Sequence, residues 1–495
     1  MTIAIAYPGQ IVRSLCESRH DIVFIDNKGW WIFDHKAGMR RLVDAFSIDL
    51  SFDDVDVVAT VDRLRRLGPL WDRWVATTGQ QEHLLRSLLV YILHIQSGLR
   101  YFNVSVVLFH TGVSHHLDSS AIEIACSFCK IPQAFLYVNN ITDRLLPLLQ
   151  FDSISDRRLL GAAVSKYSAA DDIVGFRENK LLGNPPKSGG AIPKYQTSAP
   201  LALSAILMMK AWKLKSRLRE FLRGEGGNFF EQFTEPSMFD DMRLIVRQRR
   251  AIQYYLDSVA PDEMIRKTLS DAGRPHLFFA AQFQPEATSF PEGGEMNNHI
   301  DIVLKLRNGG YRGPIIYKEH PASMSYFGPV VGSYRVGVSR SIKYYETLMQ
   351  LGCIFVPPSY KLPFGSESDL GCFPITISGT IALERSLDGR LTAVAGEPWY
   401  KGLPGAIPLD AAVRKIATGE SISQNAEVAA AAADFLDNAL SCKTIQNCPG
   451  IGTGSPSSRN YVTTDFREEM EQLFGYLNEL GAQHPGQHQN GIPAL

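Results

Sequence analysis

The chain carries almost no net charge: 50 basic and 51 acidic side chains leave -1 at neutral pH over 495 residues. That balance excludes a global pull toward nucleic acid or an anionic membrane, so any such contact must come from a local patch. A long apolar run is also missing. The longest, Ala199 to Met209, falls short of the ~20 residues a spanning helix needs. The opening Met1-Thr2-Ile3-Ala4-Ile5-Ala6-Tyr7 has neither the charged leader nor the apolar length of a secretory signal. Cysteines are few, seven and scattered, which suits reduced thiols in a cytosol rather than a disulfide framework. Cys126-Ser127-Phe128-Cys129 has redox-type spacing. It falls inside an expected helix and no second pair at zinc spacing accompanies it, so packing is the favoured reading. No internal repeat stands out.

What is present is ordinary globular composition, 45% hydrophobic and 20% charged, in a chain too long for one domain. Apolar runs and helical periodicity predict an α/β protein of two lobes. Residues 1–150 form an N-terminal α/β lobe, and 151–272 a helical insertion and linker. Residues 273–440 form a C-terminal lobe with a doubly wound parallel sheet, and 441–495 a linker, a last helix and a tail. Asp21 to Phe33 reads as a hairpin about Asn27-Lys28-Gly29. Val104 to Phe109, Ser119 to Lys130 and Gln133 to Val138 read as a strand–helix–strand unit with parallel strands. Residues 201–223 alternate Lys210, Lys213, Lys215, Arg217, Arg219 and Arg223 with Trp212, Leu214, Leu218, Phe221 and Leu222. This basic amphipathic helix is either an ordinary solvated surface or a peripheral contact with an anionic membrane face or lipid-linked acceptor.

From His276 onward strands and helices alternate regularly, and three polar clusters each follow an apolar run. In an open parallel sheet such positions line the crevice at the carboxyl ends of the strands. Gln284-Pro285-Glu286, then Pro291-Glu292-Gly293-Gly294, offer carboxylates and mobile glycines. Glu286 is the first candidate for a general base. Lys318-Glu319-His320-Pro321 offers a positive charge and an imidazole N–H donor, with Pro321 stopping the strand. Ser378-Gly379-Thr380 opens a helix, where free backbone N–H groups and a close-approach glycine suit a phosphate. Glu384, one turn on, can accept from ribose hydroxyls. Trp399 and Tyr400 either stack on a ring or pack. In the first lobe His115, His116 and Asp118 sit at a strand's carboxyl end, as a solvated pair or as ligand groups.

As a set these clusters resemble the capsule polysaccharide biosynthesis family, which includes β-Kdo transferases. The resemblance rests on Gln284-Pro285-Glu286-Ala287-Thr288 with Pro291 and Gly293-Gly294, on Lys318-Glu319-His320-Pro321, and on Ser378-Gly379-Thr380 through Glu384 with Gly396-Glu397-Pro398-Trp399-Tyr400. It covers about residues 100–145 and 275–400. It implies a GT-B-like glycosyltransferase of two Rossmann-like lobes, 1–150 on the acceptor side and 273–440 binding the nucleotide sugar, in which Lys318 and His320 contact donor phosphate or nucleotide and Ser378 and Thr380 hold phosphate. It makes a CMP-linked acidic sugar the expected donor, with UDP-linked sugars next.

The expectation is thus a cytoplasmic glycosyltransferase, peripheral on the inner membrane face, with a nucleotide sugar as donor and a lipid-linked or glycan acceptor. Gln284, Lys318, His320, Pro321, Ser378, Gly379, Thr380 and Glu384 form the donor site; Glu286, or His115 or His116 with Asp118, serves as base. No Asp-x-Asp pair stands out between the lobes, so neither a metal nor a cofactor is expected. The rivals are a nucleotide-sugar epimerase or hydrolase on the same fold, and a non-catalytic capsule-assembly subunit.

Overall fold

The computed structural model describes residues 2–6, 21–26, 29–34, 39–42, 58, 60–62, 78–109, 117–139, 141–151, 156–181, 211, 215, 238–270, 276–284, 292–324, 340–360, 372–418, 425–446 and 464–483. Strands β1 (Thr2–Ala6), β2 (Ile22–Asp26), β3 (Gly29–Asp34) and β4 (Met39–Leu42) precede a long helix, α1 (Thr78–Tyr101). Next come β5 (Val104–Phe109), α2 (Leu117–Phe128), β6 (Gln133–Val138), β7 (Arg144–Gln150), β8 (Arg158–Leu159) and α3 (Ala170–Leu181). Helices α4 (Met238–Asp257) and α5 (Asp262–Ser270) lead into β9 (His276–Ala280), α6 (His299–Asn308), β10 (Ile315–Lys318), α7 (Ile342–Gln350) and β11 (Cys353–Val356). There follow β12 (Cys372–Thr376), α8 (Ile381–Leu387), β13 (Thr392–Val394), β14 (Ala406–Pro408), α9 (Leu409–Thr418) and α10 (Ala426–Leu440), then β15 (Ile445–Gln446) and α11 (Thr464–Gln483).

The first sheet runs β15-β7-β6-β5-β1-β2-β3-β4, with β8 paired to β7. Its centre, β6-β5-β1-β2, is parallel. Strand β7 on one side and the β2–β3–β4 meander on the other are antiparallel. The hairpin expected around Gly29 is there, with Asp26 facing Gly29. Side chains alternate between two cores, as a period of two requires. Ile3, Ile5, Ile22, Phe24, Val106 and Leu108 pack with Phe466, Met470, Leu473, Phe474 and Leu477 of α11. Ala4, Ala6, Val23, Ile25, Val107 and Phe109 face α1 and α2. Burial of each large apolar side chain contributes about 2 kcal/mol, which holds α11 on this sheet. Strand β15 pairs with β7 as well. The first lobe is therefore built from both ends of the chain, and β8 extends it past residue 150.

The second sheet is wholly parallel, in the order β11-β10-β9-β12-β13-β14. Counted from β9, this is the 3-2-1-4-5-6 order of Rossmann-like domains, whose switch point lies between the first and fourth strands. Its helices begin where the sequence supplies caps. Asn298 accepts from the Ile300 N–H at 3.0 Å, Ser341 from Tyr344 at 3.1 Å and Asn425 from Glu427 at 2.8 Å. Helix α6 ends at Asn308, and Gly310 follows at φ 95°. Among the described residues no helix is long and apolar enough to cross a membrane. The basic stretch 201–223 lies outside the described residues apart from Ala211 and Lys215.

Candidate functional site

Three strand tips meet at the switch point of the second sheet. Strand β9 lies between β10 and β12, with Ala280 level with Lys318 and Phe279 level with Ile375. Neighbouring strands are about 4.8 Å apart, so the tips of β10 and β12 are separated by a single strand. Gln282 and Gln284, Lys318 to Pro321, and Ser378 to Thr380 thus share one rim.

The β10 turn is held from behind. Glu319 is fully buried and paired with Arg340, Nε to Oε2 at 2.7 Å and Nη2 to Oε1 at 3.2 Å. Tyr345 donates to Glu319 Oε2 at 3.0 Å, and Glu319 Oε1 accepts the His320 backbone N–H at 2.9 Å. Burial alone would raise this carboxyl, but the Arg340 charge and hydrogen bonds hold it down to about 2. Arg340 also donates to Gln284 Oε1 at 2.8 Å and to the Gln282 carbonyl at 3.4 Å. His299, the first residue of α6, places Nδ1 within 3.3 Å of Arg340 Nη2, 3.0 Å of the Tyr317 hydroxyl and 2.9 Å of the Tyr344 hydroxyl. A guanidinium this close favours a neutral imidazole whose Nδ1 accepts. Burial, with Arg340 second, keeps it so.

His320 itself is half-buried, with its ring 5.9 Å from that of Phe283. Burial, and then the Lys318 and Arg340 charges, bring it down to about 4 against the opposing pull of Glu319. At neutral pH it is an uncharged N–H donor beside the half-buried Lys318. Pro321 starts a short 3-10 turn that ends the strand, as its ring requires.

The β12 turn departs from expectation. Its first two backbone N–H groups are not open to a phosphate. Ser378 donates its N–H to Gln282 Oε1 at 3.3 Å, and Gly379 donates to Thr376 Oγ1 at 3.1 Å. The Ser378 hydroxyl is buried and accepts from Gln282 Nε2 at 3.2 Å. Gly379 is needed because a Cβ there would sit 2.6 Å from Thr376 Oγ1. The glycine makes room for the protein's own hydroxyl. Tyr400 donates to the Gly379 carbonyl at 2.7 Å. Trp399 and Tyr400 are both buried in the apolar core, so they pack. Thr380 and Glu384 remain half-buried on the rim, one helical turn apart, the Glu384 N–H donating to the Thr380 carbonyl at 3.0 Å.

The two lobes meet at this rim. Glu292, in the crossover after β9, hydrogen-bonds Tyr137 near the carboxyl end of β6 and lies 3.7 Å from Arg157 Nη1. Arg157 donates to Gln150 Oε1, and Gln150 donates to Glu123 Oε1 of α2 at 2.6 Å. Glu292 is thus an ion-pair partner inside the contact between lobes, and its burial removes it from the carboxylates available as a base. Gly396 crosses its backbone closely, since a Cβ there would lie 2.4 Å from the Glu292 carbonyl.

Of the candidate bases, Glu286, His115 and His116 lie outside the described residues. Asp118 lies in the first turn of α2, and its side chain is outside them too. The loop that carries His115 and His116 follows β5, which adjoins β1 at the switch point of the first sheet. Arg144 opens β7 and serves structure, donating to Thr444 Oγ1 at 3.0 Å and to Glu469 Oε1 at 2.5 Å. Cys126 and Cys129 are buried, and burial pushes Cys129 up to about 11. Both are thiols at neutral pH, which fits packing rather than redox chemistry.

Comparison with protein-family models, with curated proteins and with solved structures returns no match to the chain.

Proposed function

We propose that the chain is a GT-B-type glycosyltransferase. It would move a sugar from a nucleotide-activated donor, CMP-Kdo or another CMP- or UDP-linked sugar, to a lipid-linked or glycan acceptor. Its setting would be bacterial capsule or surface polysaccharide synthesis at the cytoplasmic face of the inner membrane. The observation that carries the reading is that the carboxyl-end rim of the wholly parallel second sheet meets the first lobe at Glu292, beside Tyr137 of β6 and Arg157. Ligands of open α/β sheets collect at such a rim, and a second lobe beside it suits a ligand with two dissimilar halves.

On this reading the nucleotide lies along the second rim. Lys318 supplies positive charge and the neutral His320 imidazole an N–H donor to the phosphate, fixed before charge develops on the leaving group. Thr380 adds a hydroxyl and Glu384 accepts from ribose. Ser378 and Gly379 form the wall rather than the phosphate cradle. The acceptor hydroxyl enters from the first lobe, with Glu286, or His115 or His116 with Asp118, taking its proton.

The test is a thermal-shift screen against CMP, CDP, UDP, GDP and TDP, followed by transfer assays with the matching sugar donor. At least one nucleotide raises the melting temperature, and His320→Ala abolishes that rise. Sugar release or epimerisation without an acceptor would instead favour the epimerase or hydrolase. Silence toward every nucleotide, together with binding to anionic liposomes, would favour an assembly subunit.

A further inference from the structure

We infer that Arg340 is a positioning residue that sets the β9, β10 and β12 tips of the second rim as one unit, through Glu319, Gln284 and Gln282. Its Nε and Nη2 grip both oxygens of Glu319 at 2.7 and 3.2 Å, which fixes the residue whose Oε1 receives the His320 backbone N–H at 2.9 Å. Its Nη1 holds Gln284 Oε1 at 2.8 Å, and Nη2 reaches the Gln282 carbonyl at 3.4 Å. The Gln282 side chain then holds Ser378 by two hydrogen bonds, at 3.2 and 3.3 Å. One planar guanidinium therefore reaches the β10 turn and the β9 turn directly, and the β12 turn through one intermediary.

The geometry calls for arginine. Lysine has one nitrogen and cannot meet Glu319 bidentately while also reaching Gln284 and Gln282. Arg340 is 4% exposed and its donors are taken up by Glu319, Gln284 and Gln282. It acts by holding His320 and Lys318 at a set height above the sheet. A shift of ~1 Å in such a group is enough to cost up to about a hundredfold in a reaction. Whether that height serves nucleotide binding rests on the function proposed above. Whether Arg340 sets it does not.

The experiment uses the full chain with Glu319→Gln and Arg340→Met together, so that no buried charge is left alone. Two quantities are read: the titration midpoint of His320, from its ring carbon NMR signal, and the affinity for whichever nucleotide stabilises the wild type. The groups around His320 are Glu319, which raises its midpoint, and Lys318 and Arg340, which lower it. The double change removes one influence of each sign. A large rise of the midpoint from about 4 toward 6.5 therefore reports release of the ring from its buried seat.

We expect that rise, with nucleotide affinity weakened by roughly tenfold or more. Arg340→Lys, which keeps the charge facing Glu319, gives the same two changes in smaller measure, and it carries the test if the double variant does not fold. An unchanged midpoint and unchanged affinity in a folded variant overturn the inference while leaving the proposed function standing. A raised midpoint in a protein whose wild type binds no nucleotide upholds the role of Arg340 and overturns the function.

Discussion

Gln282 and Ser378, 96 residues apart, exchange two hydrogen bonds across the switch point of the second sheet. Gln282 Oε1 accepts the Ser378 N–H while Gln282 Nε2 donates to the Ser378 hydroxyl, so one side chain satisfies the turn that opens after β12. Gln282→Leu fills the space but removes the acceptor of the buried Ser378 N–H and the donor to its hydroxyl. We expect a loss of about 1–3 kcal/mol of stability. Ser378→Ala, which strands only the amide donor, loses about half of that. Urea denaturation of both variants gives the comparison, and equal stability of Gln282→Leu and wild type would remove the clamp from the account.

Two glycines separate close packing from mere permissiveness. A Cβ on Gly396 meets the Glu292 carbonyl at 2.4 Å and Ile377 Cγ2 at 2.9 Å, with backbone on one side that cannot swing away. Gly396→Ala is expected to cost about 1–3 kcal/mol. Gly475 lies on the exposed side of α11 with nothing within 4 Å of the added carbon. Gly475→Ala should stabilise by about 0.5–1 kcal/mol, since alanine restricts the unfolded chain and favours helix. Melting temperatures that move in opposite directions are the expected result.

The second lobe was legible because its elements carry their own signals. Asn298, Ser341 and Asn425 cap helices where the sequence puts them, and Pro321 ends a strand. Apolar runs such as Cys353 to Val356 sit between turns. The first lobe was less so. Its central strand, Thr2–Ala6, is a short apolar run that periodicity cannot tell from any other, and β15 is two residues long. The placement of Gln284, Lys318, His320 and Ser378 on one rim followed from strand ends. Their hydrogen bonding did not. Ser-Gly-Thr before a helix has the same letters whether its N–H groups face a ligand or a neighbouring glutamine. Arg340 lies 21 residues from Glu319, beyond the reach of any local pattern, and only the fold shows that Glu319 needs a cation.

Arg157 and Glu292 join the lobes at 3.7 Å, with side chains 6% and 2% exposed. Arg157→Met takes the Arg157 charge away from the Glu292 carboxylate buried beside Tyr137, at an expected cost of about 3 kcal/mol. Arg157→Met with Glu292→Gln removes both charges and should recover at least half of that loss. A double-mutant cycle from denaturation curves measures the coupling. A coupling near zero would mean that this ion pair does not help to hold the lobes together.

Acid should weaken the protein in two steps with different owners. His320 is held down to about 4 in the folded state against an ordinary 6.5. Between those values the unfolded chain takes up a proton that the native chain refuses. Stability therefore falls as pH drops from 6.5 toward 4, by on the order of 3 kcal/mol for this residue. His299, buried and neutral, adds to the same limb. Glu319 follows. Its folded value of about 2 lies below the ordinary 4.5, so its stabilisation is complete above 4.5 and drains away as pH falls toward 2. His320→Gln should flatten the upper limb without abolishing it, because His299 remains, and should leave the lower limb unchanged. Denaturation of wild type and variant at pH 7, 5, 4 and 3 separates the two, and identical profiles would show that His320 is not buried as described.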